Sequence, residues 1–329
     1  MTSGAPAGGV APGGASAALS RLQLQVTRRL DGLLQGEYLG LLPGPGSEAG
    51  ESREYRPGDD VRRMDWPVTA RTTVPHVRLT EADRELETWL AVDASASLDF
   101  GTGTMLKREL ALTAAAAMTH LTVRGGNRVG ALVGTGDAPV VRIPARGGRR
   151  GAQALLHRIA RIQADVEHRT ATAPGATVPG TTVPGAGFYG IGELLDGLAR
   201  PPRRRGLVVV ISDFLSPVDG WERSLKRLHV RHDLLAIEIV DPRELELPSV
   251  GVVEFVDAET GRVHAVQTSD PRLRHRYAQA AAAQRDEIAG ALRGAGAVQL
   301  RLRTDSDWLM DMVRFVVGRR HLRDRGSTR

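Results

Sequence analysis

From residue 86 onward the chain alternates short aliphatic runs with longer stretches of helical period. Strands are predicted at 86–93, 128–133, 140–143, 207–211, 234–240 and 298–302. Between them, helices are predicted at 107–123, 152–162, 193–198, 221–228, 271–292 and 307–317. Residues 207–211 are uninterrupted aliphatics, as a strand covered on both faces requires. Residues 134–139 read as the turn between two strands. The segments 252–256 and 263–267 flank Glu259-Thr260-Gly261 and read as a β-hairpin. Strand, helix, strand, helix implies an α/β fold: a doubly wound, mostly parallel sheet of Rossmann type with right-handed crossovers.

Upstream the pattern changes. Leu22, Val26, Leu30, Leu33 and Leu34 form one helical stripe. A charged stretch then runs from Glu48 to about Arg84. The organisation that follows is a disordered Gly/Ala/Pro/Ser-rich tail at 1–18, an N-terminal extension at 19–85, the α/β domain at 86–320 and a basic tail at 321–329. Within the α/β domain, the Thr/Pro/Gly tract 170–187 reads as a flexible insertion. It carries a near-repeat, Ala176-Thr177-Val178-Pro179-Gly180 and then Thr181-Thr182-Val183-Pro184-Gly185.

Composition narrows the function classes. With 41% hydrophobic and 25% charged residues in 329, the chain is an ordinary globular protein. It has no cysteine, which removes disulfides, thiolate metal sites and a Cys nucleophile. No apolar run reaches the roughly 20 residues that cross a bilayer, and the first residues lack the form of a signal peptide. A cytoplasmic location is therefore expected. Net charge is +6, and only Lys107 and Lys226 among the 44 basic residues are lysines. The clusters Arg146, Arg149, Arg150 and Arg203, Arg204, Arg205 read as solvated surface. With 4% aromatics there are few stacking platforms, so a nucleic-acid role is only an alternative.

Candidate chemistry gathers at two strand ends. Asp93-Ala94-Ser95-Ala96-Ser97 follows the first aliphatic strand, and Asp213 follows the 207–211 run. Ligands of open α/β sheets bind beyond the carboxyl ends of strands, where strand order reverses. If the two strands are neighbours there, two carboxylates and two hydroxyls make an all-oxygen site suited to Mg²⁺, with Mn²⁺ as a substitute. Asp and Ser at strand ends also cap turns, and that reading stands beside the metal one. The alternative enzymatic reading is a metal-dependent hydrolase using the Asp93/Asp213 crevice. Against it, Ser95 lacks the G-x-S-x-G setting, no G-x-x-x-x-G-K-[ST] occurs, and His76, His120 and His157 have no metal spacing.

The D-x-S-x-S string with a later strand-end Asp resembles the metal-ion-dependent adhesion site of von Willebrand A domains. The upstream segment is more specific. Arg53-Glu54-Tyr55-Arg56-Pro57-Gly58-Asp59-Asp60-Val61-Arg62, then Asp65-Trp66 and Thr69-Ala70-Arg71, resembles the signature of the bacterial "domain of unknown function fifty-eight" family. Ile211-Ser212-Asp213-Phe214 is similar to its second landmark. The resemblance spans roughly 22–320. It implies a von Willebrand A-like domain, metal-site positions at Asp93, Ser95, Ser97 and Asp213, and a MoxR-type AAA+ ATPase as partner in assembling or maturing an unknown client protein. It points to a protein-interaction adaptor, and the missing nucleophile–base constellation and P-loop lead to the expectation that the chain is not an enzyme. One position departs: where the family site expects a Thr, this chain has Gly190-Ile191-Gly192. The interleaved charges Arg53, Arg56, Asp59, Asp60, Arg62, Asp65 and Arg71 are expected to crosslink around Trp66, or else to dock the partner.

Overall fold

The computed structural model describes Val26 and residues 28–31, 52–56, 61, 64–78, 86–172, 190–199, 206–256 and 263–326. The tail 1–18, most of the 170–187 insertion and the signature residues Asp59, Asp60 and Arg62 lie outside them. The main sheet contains β3 (Glu87–Asp93), β4 (Arg128–Gly134), β5 (Val141–Arg146), β6 (Gly206–Ser212), β7 (His232–Val240) and β10 (Ala297–Arg303). Their order is β10-β7-β6-β3-β4-β5. All neighbours are parallel except β5, which runs antiparallel to β4. The chain leaves β3 toward β4 on one side and leaves β6 toward β7 on the other. The reversal of strand order therefore falls between β3 and β6. This is the doubly wound arrangement that the alternating pattern predicts.

Each face of the sheet has its own core. One face carries Leu90, Val92, Val209 and Ile237 beneath α2 (Lys107–Arg124), α3 (Gly148–Thr172) and α7 (Trp308–Gly326). The other carries Trp89, Ala91, Val208 and Val210 beneath α4 (Ile191–Ala199), α5 (Glu222–His229) and α6 (Pro271–Gly294). Alternate residues of β3 thus serve opposite cores, as the two-residue strand period demands. Helix α2 is buried along its whole length, and its small Ala114, Ala115, Ala116 and Ala117 let it lie close to the sheet. The N-terminal helical stripe is joined to this same core. Val26 and Leu30 are buried within it, and Asp31 accepts hydrogen bonds from His120 Nε2 at 2.9 Å and Arg124 Nη1 at 2.6 Å.

Several boundaries shift from expectation. Helix α3 begins earlier and continues to Thr172, β5 extends through Pro144 to Arg146, and α7 runs on to Gly326. The charged stretch also holds regular structure that its composition does not announce. Strands β1 (Ser52–Glu54) and β2 (His76–Arg78) pair antiparallel, and α1 (Trp66–Thr72) lies between them in sequence. Three-residue strands are too short to show a period. The two strands expected of the hairpin, β8 (Val252–Val256) and β9 (Val263–Gln267), pair antiparallel in a separate two-stranded sheet, and Glu259-Thr260-Gly261 between them lie outside the described residues.

Trp66, around which the charges are expected to cluster, is 66% exposed, and Asp59, Asp60 and Arg62 lie outside the described residues. Trp66 is the first residue of α1, a one-to-two-turn helix with no buried residue of its own. The inward position belongs instead to Asp65, which is buried and caps α1 by accepting from the Val68 N–H at 3.3 Å. Arg71 Nε donates to the Pro67 carbonyl of its own helix at 3.1 Å. The Tyr55 N–H donates to the Pro75 carbonyl, Arg56 is exposed, and Arg53 pairs in register with Val77.

Candidate functional site

Parallel pairing of β3 with β6 sets Val92 against Ile211, so their next residues emerge together at the carboxyl edge of the sheet. The Asp93 carboxylate is held on both oxygens. Oδ1 accepts from the Ser95 N–H at 2.9 Å, and Oδ2 accepts from Ser212 Oγ at 2.7 Å. Ser95 Oγ and Ser97 Oγ lie 3.1 Å apart and share a hydrogen bond. The loop continues as a 3₁₀ turn, Ala96–Leu98, anchored by buried Leu98, and leads to Asp99 and Phe100, with Arg108 of α2 beside them. Arg108 Nη1 donates to Asp99 Oδ1 at 2.9 Å, while Phe100 is an exposed aromatic.

Asp213 is nearly inaccessible, and its Oδ1 accepts from the Leu215 N–H at 3.2 Å. The next residue, Phe214, sits at φ 55°, in the left-handed region that a non-glycine residue adopts only at a cost of about 1–2 kcal/mol. Two contacts hold it there. The Phe214 N–H donates to Ser212 Oγ at 3.0 Å, and its buried ring meets Trp221 edge-on with centroids 5.4 Å apart. Strain kept in place by surrounding contacts is typical of functional loops.

The residue that sequence reasoning misses is Lys107. It is the first residue of α2, 1% exposed, and its Nζ donates to Asp213 Oδ2 at 2.9 Å. The same ammonium pairs with Glu244 Oε1. Glu244 is held in turn by Arg285, whose Nη2 donates to Oε2 at 3.0 Å. Arg285 Nη1 donates both to the Asp213 backbone carbonyl and to Glu238 Oε1, each at 3.0 Å. Arg301 Nε reaches the other Glu238 oxygen at 2.8 Å. A chain of alternating charges, buried up to Glu238 and ending at the more exposed Arg301, therefore runs from the crevice through α6 to β10.

Two titratable groups respond to this setting. Burial pushes the Asp93 pKa up, and the neighbouring Asp213 charge pushes it the same way, outweighing the hydrogen bonds from Ser212 and Ser95. Burial pulls the Lys107 ammonium down, but the carboxylates of Asp213 and Glu244 more than offset it, and its pKa is raised.

Of the four predicted residues, Asp93, Ser95 and Ser97 lie together at the end of β3, and the Asp213 charge bears on Asp93 from the end of β6. All supply oxygen, as Mg²⁺ requires. The arrangement nevertheless does not fit a divalent ion. The Asp213 carboxylate is already paired with the Lys107 ammonium, and among the described residues no cluster of three acidic, His or Cys side chains is placed to hold an ion. Ile191, near the place of the expected Thr, is the first residue of α4 and is buried in the core; Thr181 and Thr182 lie outside the described residues. The three histidines have local partners: His76 with Val74 O and Thr72 Oγ1, His120 with Asp31, and His157 with Gln153 O.

Residues 51–287 match the family described as Protein of unknown function DUF58. The chain belongs to the DUF58 family. This DUF58 protein is 54% identical over 306 residues to an uncharacterized protein of Mycobacterium tuberculosis strain H37Rv, covering 93% of this chain and 90% of that one. The same figures hold for an uncharacterized protein of Mycobacterium bovis. Among solved structures, the chain is similar to the conserved hypothetical protein BatB from Bacteroides thetaiotaomicron. That match has 17% identity and a TM-score of 0.42, and covers 72% of this chain and 98% of the other. No helix among the described residues of the DUF58 chain is long and apolar enough to cross a membrane.

Proposed function

We propose that this DUF58 protein is a non-enzymatic, cytoplasmic docking module of von Willebrand A-like architecture. It uses the rim of the β3/β6 crevice to engage a MoxR-type AAA+ ATPase in assembling or maturing a client protein. The observation that carries the reading is the loop 94–100 at the switch point. It raises two hydroxyls, the Asp99–Arg108 ion pair and an exposed Phe100 beside a crevice whose carboxylates are already internally engaged. A hydrolase would need an activated nucleophile. Here the Ser95 hydroxyl pairs with another hydroxyl and the Asp93 carboxylate with Ser212, so neither serves as a poised nucleophile–base pair.

The reading is tested by affinity measurement against a MoxR-type ATPase from the same organism. Phe100→Ala with Ser97→Ala should weaken binding at least about tenfold, or about 1.4 kcal/mol. Val230→Ser, at an exposed residue on the opposite edge of the sheet, should leave it unchanged. Equal binding by both variants would remove the rim from the interface. Turnover of ester or phosphoester substrates that disappears on Asp93→Ala would replace the docking reading with the hydrolytic one.

A further inference from the structure

We infer that Lys107 is the resident cation of the switch-point crevice: its ammonium occupies the Asp213 arm that a divalent ion would need, making the site self-liganded and metal-independent. The inference deepens the proposed function by stating how the docking site is held in shape.

Three observations carry it. The first is contact. Nζ lies 2.9 Å from Asp213 Oδ2, pairs with Glu244 Oε1 and sits 5.9 Å from the centre of the Phe100 ring. One ammonium thus joins the β6 loop, the turn after β7 and the rim of the β3 loop. One side chain thereby connects three separate chain segments around the crevice.

The second is placement against the local field. Lys107 opens an 18-residue helix, and a cation at a helix N-terminus opposes the aligned peptide dipoles. Burial adds a desolvation cost in the same direction. A lysine persists at such a place only where carboxylates offset both, and here two do. The same loop is drawn in from the backbone, because the Lys107 N–H donates to the Phe100 carbonyl at 2.9 Å.

The third is residue choice. All but two of the chain's 44 basic residues are arginine, and Lys107 is one of the two lysines. A guanidinium is a broad planar fork, whereas an ammonium is a compact charge with three donors. Two carboxylate oxygens converging on one buried point suit the ammonium. Arg285 supplies the fork where one is needed, spanning Glu244, Glu238 and the Asp213 carbonyl. A divalent cation entering beside Lys107 would have to compete with its ammonium for the Asp213 carboxylate.

The test uses the isolated full-length protein with Mn²⁺ alone, followed by electron paramagnetic resonance, and with Mg²⁺ or Mn²⁺ in thermal melts. Wild type should bind no stoichiometric Mn²⁺, and its melting temperature should not move between chelator and millimolar metal. Lys107→Met keeps the side-chain length and removes the charge. Its melting temperature should fall, and one Mn²⁺ per chain should then bind and recover part of the loss. Lys107→Arg should remain indifferent to metal. Stoichiometric Mn²⁺ binding by wild type that is lost on Asp213→Asn would overturn the inference. So would a folded Lys107→Met that gains no metal response. If Lys107→Met does not fold, the wild-type Mn²⁺ measurement decides alone. No partner enters these measurements, so failure of ATPase docking would leave their outcome readable.

Discussion

At the scale of single residues, Asp93 gives the clearest solution signature. Its carboxyl is protonated more readily in the fold than in the unfolded chain, whose value lies near 3.8. The native state therefore holds the extra proton as pH rises from about that value. The associated stability is present at low pH and is lost as pH rises through the raised native value. Asp93→Asn keeps an acceptor for the Ser95 N–H and removes the ionisation. Denaturant melts from pH 4 to 8 should show the variant matching or exceeding wild type at neutral pH, with the gap closing toward acid. A variant less stable than wild type at pH 7 and equal at pH 4 would reverse the sign. The residues of the crevice were half legible in the sequence. D-x-S-x-S and Ile211-Ser212-Asp213-Phe214 mark strand ends by position, and the structure gathers them. Lys107 escapes because nothing local ties it to Asp213, 106 positions away. The available signal was its rarity in an arginine-rich chain.

At the scale of elements, the connection between α6 and β7 rests on charge as well as packing. Glu238 is fully buried in the middle of a parallel strand and depends on Arg285 and Arg301. Arg285→Ala would leave Glu238 and Glu244 short of a partner in a dry setting. Removing one member of a buried pair costs about 3–5 kcal/mol, so chemical denaturation should show a loss of that order. A loss below about 1 kcal/mol would mean that water replaces the guanidinium. A smaller clip ties the loop after β3 to the far strands. Asp241 accepts from the Thr102 N–H at 2.7 Å and Thr304 Oγ1 at 2.7 Å. Burial pushes its carboxyl up, but the bonds from Thr102, Arg243 and Thr304 hold it below the usual carboxylate value. The strands and helices of the main sheet were readable because each is long enough to show a hydrophobic period. Strands β1 and β2, with three residues each among charges, carry no such period and were missed. Helix α1 has no buried face to reveal it either.

At the scale of the whole molecule, the described part of the N-terminal extension shares a core with the α/β sheet. Leu30 is fully buried in the cluster that includes α2 and α7, and Asp31 bonds two side chains of α2. Leu30→Ala should lower the midpoint of the main unfolding transition by an amount worth about 2–5 kcal/mol. An unchanged midpoint would mean that this segment melts apart from the sheet. The alternating pattern from residue 86 discloses the architecture, but periodicity alone does not decide that β3 pairs with β6. One feature of the sheet's margin bears on how the molecule lives among copies of itself. Strand β5 closes the sheet, carries Pro144, and loses register against β4 between Val129 and Ala131. A proline offers no amide hydrogen, and a broken register twists the strand away from any straight neighbour. A newly made chain at high local concentration thus meets, on the β5 side of the sheet, a blunted margin instead of a template for pairing.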